Sequence, residues 1–279
     1  MEEAEKKQKI KIAALQMNSV IGDIQKNCEK IKAIIQSELT SDTDILILPE
    51  VWSCGWHCPV FPQCAEEIDD STSIKLLKNI AKEYNVNILG GSIILKQKNN
   101  CYNACPVIDR SGNLVATYEK NHLFSYYGSD EGKYVQAGNN PVMVTLDGIN
   151  IGLTICFDIR FPEIYRAYRK AGADLLVNMA AWGSNKPIPW EVMTRSRAVE
   201  NQTFMVALTQ CGPIANGEFN IGHSRIIDYN GNVISEIKDQ KEGIMYAELD
   251  LREMYDFREK CTILNDIKEK YEVKSLCVK

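Results

Sequence analysis

The chain has 279 residues, 45% hydrophobic and 25% charged, and its 32 Lys and Arg against 37 Asp and Glu leave a formal net charge of −5. That composition supplies ample core material and excludes a disordered or fibrous chain. The acidic balance, with no basic block beyond a short stretch near the N-terminus, argues against nucleic acid or a membrane surface as partner. The longest apolar runs, 45–48 and 88–95 with two glycines inside, fall well short of the ~20 residues of a bilayer span. The opening MEEAEKKQKIK carries charges with no apolar stretch behind them, so no signal peptide is expected. Ten cysteines in such a chain then read as reduced thiols, and the expected compartment is the cytoplasm.

No repeat, low-complexity segment or Pro/Gly/Ser-rich linker divides the chain, so one domain is expected. Residues 9–16 read as a strand. Residues 23–38 read as a helix, with Asp23 as N-cap and Ile31, Ile34 and Ile35 at helical spacing. Residues 44–48 (DILIL) form a β-branched run closed by Pro49, which suits a strand buried on both faces. A helix over 73–84 and a strand over 86–95 follow. Strands 101–109 and 114–118 flank Arg110-Ser-Gly-Asn113, and strands 223–228 and 232–236 flank Asn230-Gly231, both turn signals with glycine available for positive φ. Between these hairpins, strand 149–155, helix 160–171, strand 174–180 and helix 189–201 alternate as in an α/β fold. Hairpins mixed with β-α alternation predict a layered α/β sandwich.

Three residues carry candidate chemistry. Cys156 ends the strand-like run Ile151-Gly-Leu-Thr-Ile-Cys and precedes Phe157-Asp-Ile-Arg-Phe-Pro-Glu163, where Pro162 and Glu163 suit a helix start. A thiol between a strand end and a helix N-terminus is expected to have a lowered pKa and nearby N–H donors for an oxyanion. Alone, such a cysteine is more often core. Glu50 follows an apolar strand directly, at the end where α/β sheets bind ligands, and burial there would raise it toward the range of a general base. Lys120, in Tyr118-Glu-Lys-Asn-His-Leu-Phe124, could hold an oxyanion, although most lysines are solvated.

Taken together, LPE at 48–50, YEKNHLF at 118–124 and CFDIRFPE at 156–163 resemble the carbon–nitrogen hydrolase (nitrilase) superfamily. The likeness continues through Trp190-Glu, Arg195-Ser-Arg-Ala-Val-Glu-Asn-Gln202 and Gly222-His-Ser-Arg-Ile-Ile-Asp228, spanning roughly residues 9–258. It implies a single-domain four-layer α-β-β-α sandwich over 9–258, after a polar extension at 1–8 and before a tail at 259–279 that could serve as a dimer arm. It implies a Glu50-Lys120-Cys156 triad, a second glutamate at Glu131 beside Asp130, the backbone N–H of Phe157 as oxyanion donor, and a cysteine thioester formed without cofactor. A homodimer acting on a small-molecule amide is expected, with apolar residues around 182–193 in its interface. Asn178-Met-Ala-Ala-Trp182-Gly-Ser resembles the omega-amidase group, which hydrolyses the terminal amide of small carboxylate-bearing substrates such as 2-oxoglutaramate or succinamate. Trp182 would then wall a short pocket. The distal carboxylate would fall to Lys186, Tyr126, Tyr127 or His122, a choice the sequence leaves open. Deaminated-glutathione amidase, N-carbamoyl amine hydrolase and nitrilase are the alternative activities, and a binding module of the same fold is the non-enzyme one.

Three rival readings remain at this stage. The Cys54 and Cys58 spacing falls in the zinc range with Cys64 nearby, but thiols beside a pocket are the favoured reading and no metal is expected. His57, His122 and His223 allow a Cys-His mechanism, against which the surroundings of Cys156 match no such signature; His122 is expected to line the Lys120 pocket in a supporting role. Arg197 with Glu200, and Arg160 with Glu163, have the i, i+3 spacing of structural ion pairs.

Overall fold

A computed structural model describes residues 8–126, 128–268 and 270–277. In chain order the elements are β1 (Lys9–Gln16), α1 (Ile24–Glu38), β2 (Ile45–Ile47), β3 (Glu66–Glu67), α2 (Thr72–Tyr84), β4 (Asn87–Leu89), β5 (Ile93–Gln97), β6 (Asn100–Ile108), β7 (Leu114–Glu119), β8 (Met143–Leu146), β9 (Ile149–Ile155), α3 (Pro162–Lys170), β10 (Leu175–Ala180), α4 (Pro187–Asn201), β11 (Phe204–Thr209), β12 (Ser224–Ile227), β13 (Val233–Ile237), β14 (Gly243–Asp250) and α5 (Leu251–Lys260). One sheet runs β14-β1-β2-β4-β6-β5-β3 with β7 paired to β6; the other runs β13-β12-β11-β10-β9-β8.

Strand alternation builds the four layers. Ile12, Ala14, Ile45 and Ile47 face the second sheet and meet Ile151, Leu153 and Ile155 in the central core. Their neighbours Ala13, Leu15 and Leu46 face outward, under Ile31 and Ile35 of α1 and Ile74 and Leu77 of α2. On β9 the opposite face carries Gly152, where a Cβ would come within 2.6 Å of the Tyr168 ring, and Thr154, whose hydroxyl lies 2.6 Å from that of Tyr165. Both tyrosines belong to α3, so this helix covers the outer face of the second sheet. The result is the α-β-β-α sandwich.

Local chemistry fixes the ends. Asp23 caps α1 through Lys26 N at 3.0 Å, and Gln202 in the left-handed region (φ 51°) stops α4 before the buried strand β11. The segment 86–95 is two strands rather than one. Gly91 breaks it at φ 64°, where a Cβ would lie 2.1 Å from the Pro49 carbonyl oxygen, and the next residue, Ser92, donates its N–H to that oxygen at 3.0 Å. This close approach fixes the chain just before Glu50. Arg197 and Glu200 pair at 2.9 Å as expected. Arg160 does not turn to Glu163; its guanidinium lies over the rings of Phe157 and Trp182.

Candidate active site

The strands β2 and β9, one in each sheet, lead into strained residues. Val51 after Glu50 has φ 42° and Cys156 has φ 44°, conformations costly for side chains with a Cβ. Both kinks are held. Val51 N donates to Ser92 Oγ at 2.9 Å, Ile155 N to Asp158 Oδ2 at 2.9 Å, and Asn178 Nδ2 to the Cys156 carbonyl at 3.3 Å. Arg197 adds two bonds to the Ile159 carbonyl, at 3.0 and 2.7 Å, tying α4 to the turn after the thiol. That turn, Cys156–Arg160, is a short 3₁₀ segment.

These constraints bring Glu50, Lys120, Glu131 and Cys156 together. The first three side chains have no solvent exposure, and Cys156 is 8% exposed. Lys120 Nζ lies 2.8 Å from Glu50 Oε1 and 3.1 and 2.9 Å from the two oxygens of Glu131. Asn103 Nδ2 donates to Glu50 Oε1 at 2.9 Å and to Glu131 Oε1 at 3.0 Å. Backbone N–H groups complete the set, Ala181 to Glu50 Oε2 and Phe124 to Glu131 Oε2, both at 2.7 Å. Every Glu131 oxygen thus has two donors, whereas Glu50 Oε2 has one backbone donor and room for another. The Cys156 thiol lies near enough to Glu50, Lys120 and Glu131 for all three to act on its ionisation. Asp130, the alternative to Glu131, faces away and pairs with Lys133 at 2.7 Å.

The ionisation pattern follows from burial. Burial raises Glu50 above the usual carboxylate range; Lys120 pulls it back and Glu131 pushes it further up, leaving it raised. Burial would lower Lys120, but Glu131 and Glu50 outweigh it and hold the ammonium well above its ordinary value. Burial, and then the negative charge of Glu50, push the Cys156 thiol well above its ordinary value despite Lys120. This reverses the lowered pKa expected from a helix N-terminus, because the thiol is buried against a carboxylate. The resting nucleophile candidate is therefore a neutral thiol beside a base.

Above Cys156 opens a cavity of about 530 Å³ including its mouth, lined by Trp56, Phe124, Phe157, Arg160, Ala181, Trp182, Gly183, Asn185, Lys186, Ile214 and Glu218. Trp182 and Lys186 line it, as the sequence suggested, and Trp182 Nε1 is fixed by the Lys186 carbonyl at 2.9 Å. His122 does not line it. Strand β7 ends at Glu119, and the chain then turns His122 onto Asp158, 2.7 Å from Nδ1 to Oδ1, with its ring stacked on Phe161 at 3.7 Å. Tyr126 is 57% exposed with its ring 5.5 Å from that of Phe157, and Tyr127 lies outside the described residues. Arg160 and Asn103 are the additions the sequence reading lacked. Among the described residues no group of three or more His, Cys, Asp or Glu is arranged to hold a metal. Cys54, Cys58 and Cys64 lie instead in one apolar cluster.

A buried cluster of two carboxylates, an ammonium and a thiol between two packed sheets is one feature of the chain, and comparison with known proteins supplies its class. The carbon-nitrogen hydrolase family model matches residues 11–259, and the chain belongs to that family, whose members hydrolyse C–N bonds. It is 34% identical over 258 residues to the 2-oxoglutaramate amidase of Bacillus subtilis, covering 92% of this chain and 97% of the relative. It is 29% identical over 261 residues to the human omega-amidase NIT2, covering 91% and 93%. Among solved structures, Saccharomyces cerevisiae Nit3, of the nitrilase superfamily, superposes with a TM-score of 0.81 at 26% identity, covering 92% of this chain and 97% of Nit3. The Xanthomonas campestris protein XC1258 shares the fold with a TM-score of 0.87 at 24% identity, covering 96% and 100%.

Proposed function

We propose that the protein is an omega-amidase-like enzyme that hydrolyses the terminal amide of a small carboxylate-bearing substrate, such as 2-oxoglutaramate or succinamate, to the acid and ammonia. The observation that carries the reading is the buried Cys156 thiol beside Glu50 and Lys120, beneath a cavity whose wall presents Arg160 and Lys186. The relatives bearing amidase names support it.

Cys156 Sγ attacks the amide carbon as its proton passes to Glu50 Oε2, the oxygen with an open position, so no free thiolate is required. The proton neutralises Glu50, loosening its hold on Lys120, and the ammonium turns to the developing oxyanion, which the Phe157 N–H also holds. Glu131 keeps its own contacts to Lys120 and anchors it. Glu50 then protonates the departing ammonia and the thioester remains. Water, deprotonated by Glu50, attacks the thioester and releases the acid and the thiol.

Recognition of the far end follows from the walls. Arg160 sits one 3₁₀ segment beyond Cys156, with its guanidinium 5.4 Å from the Trp182 ring centroid and 5.7 Å from that of Phe157. That arrangement aims a planar donor fork at a carboxylate a few atoms from the scissile carbon. Lys186, 5.6 Å above the Phe124 ring, adds positive charge. Ammonia release from 2-oxoglutaramate, succinamate, deaminated glutathione, N-carbamoyl amines and simple nitriles tests the reading. The highest kcat/KM is expected for one of the first two; a nitrile or N-carbamoyl amine in that place overturns it.

A further inference from the structure

Asn103 stands in the middle of β6, fully buried, as a polar residue in an otherwise apolar stretch. Its amide nitrogen reaches the same two oxygens, Glu50 Oε1 and Glu131 Oε1, that Lys120 Nζ reaches. The two carboxylates are thus bridged twice, once by a charged donor and once by a neutral one. The amide orientation is dictated by its neighbours, since turning it over would set a carbonyl oxygen against two carboxylates. The carbonyl oxygen is left buried with no partner among the described residues, a cost with no return for an amide that only fills space. The backbone clamps the pair of donors in register: Lys120 N donates to the Asn103 carbonyl at 2.9 Å, and Asn103 pairs with Ile94 of β5.

In the reaction proposed above, on which this inference rests, Lys120 must turn from Glu50 toward the reacting oxygen. Without a second bridge, Glu50 would then be held only at Oε2, by the Ala181 N–H, and could swing out of line with Cys156 at the moment it holds the proton. We propose that Asn103 is a positioning residue for the hydrolysis: its amide locks Glu50 to Glu131 while Lys120 moves, keeping the Glu50 carboxylate in place beside the thiol. Asn103 is not among the residues that line the cavity.

The consequence is specific. Lys120, Glu131 and Cys156 are the charged or titratable groups facing Glu50, with Cys58 beyond them, a thiol that burial pushes up to about 11 and so leaves neutral. Removing Asn103 leaves all of these in place and deletes one donor to the ionised carboxylate, which favours its protonated form. In Asn103→Leu, close in volume but without a donor, the acid limb of kcat/KM should move up by about one pH unit, a tenfold loss at a pH on that limb. KM should be unchanged. Asn103→Ala removes the same donor with a smaller side chain. In both, alkylation of Cys156 by iodoacetamide, followed on its tryptic peptide across pH, should shift upward by the same amount without any turnover. An unmoved acid limb and alkylation profile, or a loss residing in KM, overturns the inference. Glu50→Gln separates the two levels. If Glu50→Gln is inactive while both Asn103 variants keep the wild-type profile, this inference alone fails; if Glu50→Gln keeps wild-type turnover, the proposed reaction fails and the inference with it.

Discussion

Replacing Lys120 by Met removes the one ammonium between two buried carboxylates while keeping an unbranched side chain of similar length. Three contacts of 2.8, 2.9 and 3.1 Å are lost, and none of the three side chains reaches solvent. Removing one partner of a buried ion pair costs about 3–5 kcal/mol, because the remaining charge is left uncompensated. That is up to a large part of a typical stability of about 5–15 kcal/mol. The deficit should depend on pH in a definite direction. In the variant Glu50 keeps the burial that already raises it and the repulsion of Glu131, and loses the cation that pulls it down. A carboxylate whose folded pKa lies above its unfolded value contributes stability that is fully present below the unfolded value, near 4.5, and is lost as pH rises through the folded one. The variant should therefore be weakest at pH 8 and gain on wild type toward pH 5, by up to about 1.4 kcal/mol per pH unit. Urea unfolding at pH 5, 6, 7 and 8 measures this. A deficit below about 1 kcal/mol, or one independent of pH, would refute the picture of a dry cluster held by one cation.

Further outcomes follow from other parts of the site. Arg160→Met should raise KM for succinamate by roughly 10- to 100-fold, the worth of hydrogen bonds to a charged group, and leave an uncharged short amide unaffected in steady-state kinetics. On α4, Ile188, Val192 and Val199 share one face at 73%, 55% and 46% exposure, an apolar row suited to a two-fold contact between copies. Light scattering at micromolar concentration should give a dimer for the wild type and a monomer for the double variant Ile188→Asp and Val192→Asp; a monomeric wild type would contradict the expectation.

Much of the fold was legible because local and global signals coincide. Asp23 caps α1, the DILIL run is a strand buried on both faces, and both glycine-bearing turns join antiparallel strands. Residues 86–95 misled because Gly90 and Gly91 read as an interruption within one strand, whereas the need was set by Pro49, forty residues away in sequence. The site divides in the same way. Glu50 and Cys156 announce themselves at the ends of apolar strands. The thiol's raised pKa could not be read there, because it depends first on burial and then on a carboxylate brought from another sheet. An extended chain past Lys120 would point His122 into the same pocket, but the strand ends at Glu119 and the chain turns. Asn103 carried a usable signal, a polar residue in an apolar strand, but its meaning lies in two glutamates far along the chain. Arg160 was assigned to Glu163 by spacing alone; in the short turn after Cys156 it faces the cavity instead.

The central claim is that Cys156 becomes acylated by an amide with loss of ammonia, using Glu50 as base. Acid-quenching the enzyme within the first turnovers with 2-oxoglutaramate or succinamate, then weighing the intact protein and its peptides, tests it directly. The mass should rise by that of the substrate less ammonia, on the peptide carrying Cys156 alone and not in Cys156→Ser. Undiminished ammonia release by Cys156→Ser, with no adduct on the wild-type thiol, would contradict it.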